Sequence, residues 1–144
     1  MDTQNYANHR RTVPMYHMVL FFLIVATLIG SFVNLYKSLD DHQGLYSASL
    51  IVAISASLLM LFFFCRIFPL KAQDRAIRAE ENLRHFVLAG KLLDPRLTTR
   101  QVIGLRFASD QELVSLANRA ADENLTADQI KRSIKSWRPD MDRV

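Results

Sequence analysis

The sequence predicts an all-α protein: a two-helix transmembrane hairpin, then a juxtamembrane amphipathic helix, then a small cytoplasmic helical module. Three observations carry this. Two uncharged, apolar runs, 22 residues from Met15 to Tyr36 and 21 from Leu45 to Cys65, fill most of the first half of a 144-residue chain. Only eight residues, Lys37 to Gly44, separate them. Beyond Cys65, apolar residues recur at helical spacing among charges and are interrupted by Gly and Pro.

A helix rises 1.5 Å per residue, so about 20 apolar residues cover a hydrocarbon core of roughly 30 Å. The first run holds twelve Leu, Ile, Phe or Val residues and the second eleven. Each contributes about −0.3 to −0.6 kcal/mol at the centre of an inserted helix, which outweighs the scattered Ser, Thr and Asn. Core helices of soluble proteins are seldom apolar all round for so long. A cleaved signal peptide also fits poorly, although Arg10 and Arg11 precede the first run. Secretory apolar regions span about 7 to 15 residues and end at a small-residue cleavage site. The single Cys65 reads as a small buried hydrophobe at the end of the second span, with lipidation as the other reading.

Charge sets the expected orientation. Arg10 and Arg11 precede the first run, and Arg66, Lys71, Arg75, Arg78 and Arg84 follow the second, whereas the loop carries one Lys and two Asp. Cationic flanks stay on the cytoplasmic side, so both termini are expected inside. The expected organisation is a cytoplasmic segment 1–14, spans 15–36 and 45–65 joined by an external loop 37–44, and a cytoplasmic module 66–144. Pro14 suits a first helical turn. Tyr16, His17, Tyr36 and Tyr46 stand at the ends of the runs, where amphipathic rings favour the headgroup level. For His17, interfacial anchoring stands beside a proton-relay or metal role.

Membrane helices associate through close packing and interhelical hydrogen bonds, so small residues mark contact faces. Ala26, Gly30 and Asn34 recur every four residues in the first run, and Ser49, Ala53 and Ser57 in the second. Two readings fit: these stripes pack the hairpin, or they build a homo-oligomer whose serine hydroxyls line a pore. Neither run carries a formal charge, which argues against a pump or coupled transporter.

From Pro69 to about Ala89 the pattern is an amphipathic helix. Ala72, Ala76, Ala79, Leu83, Phe86 and Val87 form one side, and Lys71, Arg75 and Arg78 a basic stripe. The stripe either touches anionic headgroups, each cation contributing about 1 kcal/mol near the surface, or is a solvated face paired with Glu80 and Glu81. Gly90 and Asp94-Pro95 break this helix. Three short helices follow: about Thr99 to Phe107; one from Ser109 with Glu112 as capping-box partner; and one from Thr126 with Gln129 in the equivalent place, carrying Ile130, Ile134 and Trp137 until Arg138-Pro139 ends it. So small a module buries only about 60% of its unfolded surface and must lean on something else. Trp137 is either its core anchor or a hot spot for a partner.

The sequence contains no phosphate loop, nucleophile elbow or metal-ligand cluster; four scattered His and one Cys do not make a zinc pattern. No cofactor and no catalytic residue are expected. Lys131, Arg132, Lys135 and Arg138 on the last helix imitate a nucleic-acid reader. However, residues 66–144 hold 15 basic and 11 acidic side chains, so no strong field forms and nucleic acid is not an expected partner.

The segment Gln4-Asn5-Tyr6-Ala7-Asn8-His9, then Val13-Pro14, Tyr16-His17 and Asn34-Leu35, resembles the start of an uncharacterised family of small bacterial two-helix membrane proteins. Arg100-Gln101, Leu105-Arg106-Phe107-Ala108-Ser109-Asp110, Trp137-Arg138-Pro139-Asp140 and Arg143-Val144 resemble its end. The resemblance covers nearly the whole chain and implies a bacterial inner membrane, without any catalytic residue. The expectation is a non-enzymatic accessory, scaffold or assembly protein that contacts membrane lipid and either another protein or itself. A small homo-oligomeric pore is the alternative.

Overall fold

The computed structural model describes residues 4–9 and 12–140. Arg10 and Arg11 of the charge argument, and Arg143 and Val144 of the resemblance, lie outside the described residues. Among those residues the protein is all-α and has no strand. Two helices are long and apolar enough to cross a membrane, Met15–Lys37 and His42–Ala89. The chain divides into two compact bodies, one of Thr12–Phe68 and one of Met1–Arg11 with Pro69–Val144.

In the first body, Met15–Leu20 is wound as a π-helix and runs into α1 (Phe21–Lys37). His17 Nδ1 lies 3.1 Å from the Val13 nitrogen and 3.0 Å from its carbonyl oxygen, so this ring works at the helix start. After a turn closed by Asp41 N–H donating to the Ser38 carbonyl, α2 (His42–Ala89) begins. It runs through Pro69 without ending, so the second apolar run and the juxtamembrane helix are one element. An interior proline costs one main-chain bond, about 3 kcal/mol. The unbroken bonding on both sides outweighs it.

α1 buries Ile24 and Ser31, with Phe21, Leu28 and Leu35 half-buried, and α2 within this body buries Ala48 and Ser55, with Val52, Leu59 and Phe62 half-buried. The Tyr16 ring stacks on Phe62, centroids 4.4 Å apart, and its hydroxyl donates to the Phe62 carbonyl. Ala26, Gly30, Asn34, Ser49, Ala53 and Ser57 are all exposed. The buried positions alternate steps of three and four residues, which holds one side of a helix, whereas a strict four-residue step drifts by about 40° each time. Cys65 is exposed rather than buried, because it falls outside that alternation.

The second body holds the residues of α2 after Pro69 with α3 (Thr99–Leu105), α4 (Asp110–Asp122) and α5 (Ala127–Ser133), and α2 is tied to Thr99, Ala108 and Asp110 by Arg78 and Arg84. Gly90 adopts φ +70°, a left-handed conformation natural to glycine, and its N–H donates to the Phe86 carbonyl, ending α2. Thr98–Gln101 and Thr126–Gln129 form reciprocal capping boxes at α3 and α5. Ser109 makes no side-chain cap on α4. Glu112 accepts instead from the main-chain N–H groups of Lys135 and Ser136, at 3.2 and 3.0 Å, so the capping pair expected there is diverted to a tertiary contact. The core joins Leu97, Val102, Leu105, Phe107, Leu113, Ala120 and Ile130, with Trp137 packed at its edge. α3 and α5 pass closely at Gly104, where an added Cβ would stand 3.2 Å from the Ala127 carbonyl oxygen.

α2 offers this core a different face from the expected one. Ala72, Ala76, Ala79, Leu83, Phe86 and Val87 are exposed, while Ile77, Glu81 and His85 are buried. Burial of polar groups is tolerated when each finds a partner. Arg84 supplies that of Glu81, donating to it at 3.0 Å, and is itself held by Asp110 at 2.6 Å and the Ala108 carbonyl at 2.7 Å. His85 Nδ1 lies 2.7 Å from the Lys91 carbonyl oxygen and so carries the hydrogen. Asn82 Oδ1 accepts from Leu93 N–H. Glu81 is therefore a buried clamp and not a solvated partner of the basic stripe.

Candidate functional site

The residues brought together from greatest sequence distance are those of the two ends. Asn5 and Asn8 shape the N-terminal segment: Asn5 Oδ1 accepts from the N–H groups of Ala7 and Asn8, and Asn8 Oδ1 accepts from Asn5 N–H at 2.6 Å. Such side-chain turns fix a short peptide without a helix or sheet. They leave Gln4, Tyr6 and His9 to reach other parts of the chain.

Each of the three has a distinct partner. Gln4 is buried and exchanges hydrogen bonds with the main chain of Asp140. The Tyr6 hydroxyl donates to Asp128 Oδ1 at 2.6 Å and accepts from Arg132 Nε at 3.2 Å. Arg132 also covers the Tyr6 ring, 5.1 Å from its centroid, and bridges to Asp128 at 2.9 Å. His9 Nδ1 lies 2.6 Å from the Tyr6 carbonyl oxygen and therefore carries the hydrogen, leaving Nε2 to accept from Lys131 Nζ at 3.1 Å. The His9 ring is 5.9 Å from both Phe107 and Trp137.

α5 ends at Ser133 rather than continuing to Arg138, because Ile134 turns extended. The chain then runs antiparallel beside 107–109: Ser109 N–H donates to the Ser136 carbonyl and Arg138 N–H to the Phe107 carbonyl. This sets the half-buried Trp137 ring against Phe107, 5.1 Å between centroids. Arg106 Nε meets Asp140 Oδ2 at 3.0 Å. A cleft of about 330 Å³ opens beside this pair, lined by Gln73, Ile77, Glu81, Arg106, Arg138 and Asp140 among others. Its two guanidinium groups share the lining with three carboxylates, Glu80, Glu81 and Asp140, and Arg138 lies 3.7 Å from Glu81. The lining mixes both signs with one carboxylate in excess, which suits a polar protein surface more than a lone anion.

The electrostatics favour the docked arrangement. Hydrogen bonding from the Tyr6 hydroxyl, then the nearby Arg132 charge, holds the Asp128 carboxyl below the ordinary 3.8. The same hydroxyl first, then Asp128, raises Arg132. Elsewhere in the same body, Arg96 holds Asp94 down to about 2 through its side-chain hydrogen bond and bridges to Asp122 at 2.8 Å.

Of the residues singled out from the sequence, Trp137 belongs to this site. Lys71, Arg75 and Arg78 lie exposed on α2, where Arg78 donates to Thr99 Oγ1 at 3.1 Å. Gln4, Tyr6, His9, Glu81, Arg84 and Glu112 gain roles that no local pattern announces. The one sequence signal, membership in the N-terminal motif, holds for Gln4, Tyr6 and His9. Among the described residues, no group of three His, Cys, Asp or Glu side chains is placed to hold a metal ion.

The fold and this site define an all-α protein with two helices capable of crossing a membrane and a helical body that gathers both ends of the chain. The chain belongs to a family of unknown function, DUF6526, whose model it matches over residues 1–144. No match was found among curated proteins or among solved structures.

Proposed function

We propose that this is a multi-pass protein of the bacterial inner membrane, both termini cytoplasmic, which acts without catalysis as an accessory or scaffold subunit. Two antiparallel spans anchor it as a hairpin, and the cytoplasmic body carries the surface that a protein partner recognises. The observation that carries this reading is the docking of Gln4, Tyr6 and His9 on Asp140, Asp128 and Lys131. Two segments joined in one folded body must lie on the same side of a bilayer. An even number of crossings between them satisfies that condition.

The serine hydroxyls support an anchoring role over a pore. Ser49, Ser55 and Ser57 each donate to a carbonyl of their own helix, at 2.7, 2.8 and 2.8 Å. Hydroxyls so engaged need no water. In liposomes the purified protein should be silent to ions. A conductance lowered by Ser57→Leu would instead establish the pore.

Reporter fusions test the orientation. A fluorescent protein that folds only in the cytoplasm should light up at either terminus, and a periplasm-dependent phosphatase should be active only in the 38–41 turn. Phosphatase activity at either terminus overturns the reading.

A further inference from the structure

The body formed by α2 with α3, α4 and α5 leaves one face of α2 uncovered. Ala72, Ala76, Ala79, Leu83 and Phe86 are exposed there, Leu83 at 64% and Phe86 at 51%. Their separations of 4, 3, 4 and 3 residues are those that keep a seam against another helix. Small residues at the first three positions allow close approach of two backbones. The two large side chains add apolar area that water disfavours.

Charge selects the occupant. In a parallel helix pair, the residue before one seam position on one helix meets the residue five places further on in the other. Those flanking positions hold Arg75 and Glu80, five residues apart and opposite in sign. Both are exposed, and neither has a hydrogen bond or ion pair among the described residues. A second copy in the same orientation forms this pair twice, once on each side of a two-fold axis. An antiparallel copy sets like charge against like, and an anionic headgroup layer repels Glu80.

We propose that this face of α2 is a dimer seam, paired in parallel with the same face of a second copy and closed by two Arg75–Glu80 ion pairs. The seam rests on the functional reading above, because a shared membrane orientation is what makes the two helices parallel.

Cysteine cross-linking of the full chain in native membranes tests it, with Cys65→Ser as background. Ala79→Cys and Phe86→Cys should give a covalent dimer under mild oxidation, since disulfides need Cα atoms within about 7 Å. Lys71→Cys, off the seam, should not. In mild detergent, Arg75→Glu and Glu80→Arg should each lose the dimer, and the double exchange should restore it. The proposal is overturned if Ala79→Cys cross-links no better than Lys71→Cys, as it would with a different protein or lipid on this face. A double exchange that stays monomeric overturns it too. Failed cross-linking with cytoplasmic termini sinks only the seam, whereas external termini sink the functional reading.

Discussion

Gln4 and Asp140, 136 residues apart in sequence, bond to each other in both directions: Asp140 N–H donates to Gln4 Oε1 at 2.7 Å, and Gln4 Nε2 donates to the Asp140 carbonyl at 3.5 Å. The side-chain amide thus imitates a neighbouring strand. Replacing it leaves a part-buried donor and acceptor unserved, at a cost of about 1 kcal/mol. Gln4→Ala should therefore loosen the N-terminal segment without unfolding the body. The chain has one tryptophan, Trp137, set beside His9 and Phe107. Its fluorescence should shift towards that of a wetter ring, while helical circular dichroism stays unchanged.

Acid should release the same segment. Asp128, which accepts from the Tyr6 hydroxyl, has a folded value below the ordinary 3.8. A lowered folded value contributes stability that is fully present above 3.8 and is lost as pH falls through the folded value. In His9→Gln, which removes the titrating neighbour of Trp137, emission should hold steady from neutral pH to about pH 4.5 and change below it. Tyr6→Phe, which removes the largest cause of the Asp128 shift, should move the change to higher pH. An unmoved titration would count against the Tyr6–Asp128 bond.

Gly104→Ala should weaken the contact of α3 with α5. The new methyl would lie 3.2 Å from the Ala127 carbonyl oxygen and 3.4 Å from Ile130 Cγ2, the first a main-chain atom with little room to give. Overpacking of this kind costs about 1 to 3 kcal/mol. Thermal unfolding followed by Trp137 in detergent should show a lower midpoint; an unchanged one would mean the helices separate freely there.

The spans separate two packing readings by a paired substitution. Ala48 is 1% exposed, so Ala48→Leu drives a large side chain into a buried position. Ser57→Leu places the same side chain on an exposed face. The first should reduce resistance to detergent-induced unfolding and the second should not. The opposite order would put the small-residue stripe at the contact.

Much of this architecture is written locally. The two long apolar stretches, the stop at Gly90 and the capping pair Thr126–Gln129 each depend on residues within a few positions of one another, so local chemistry suffices to read them. Whether a helix carries on past Pro69 depends on the bonding either side of it, and here the second apolar run and the amphipathic helix are one element.

Which face each helix hides is a different kind of question. Glu81 and His85 are buried on α2 while Leu83 and Phe86 stay outside, because Arg84 of the same helix, itself held by Asp110 from α4, pairs with Glu81, and the Lys91 carbonyl accepts from His85. Glu112 leaves its expected cap for Lys135 and Ser136 for the same reason. The sequence by itself determined which segments are apolar enough to cross a membrane and where most helices start and stop. Only the tertiary structure decided that Gln4, Tyr6 and His9 close on Asp140, Asp128 and Lys131, since a hydrogen bond's partner is set by position in space and not by distance along the chain.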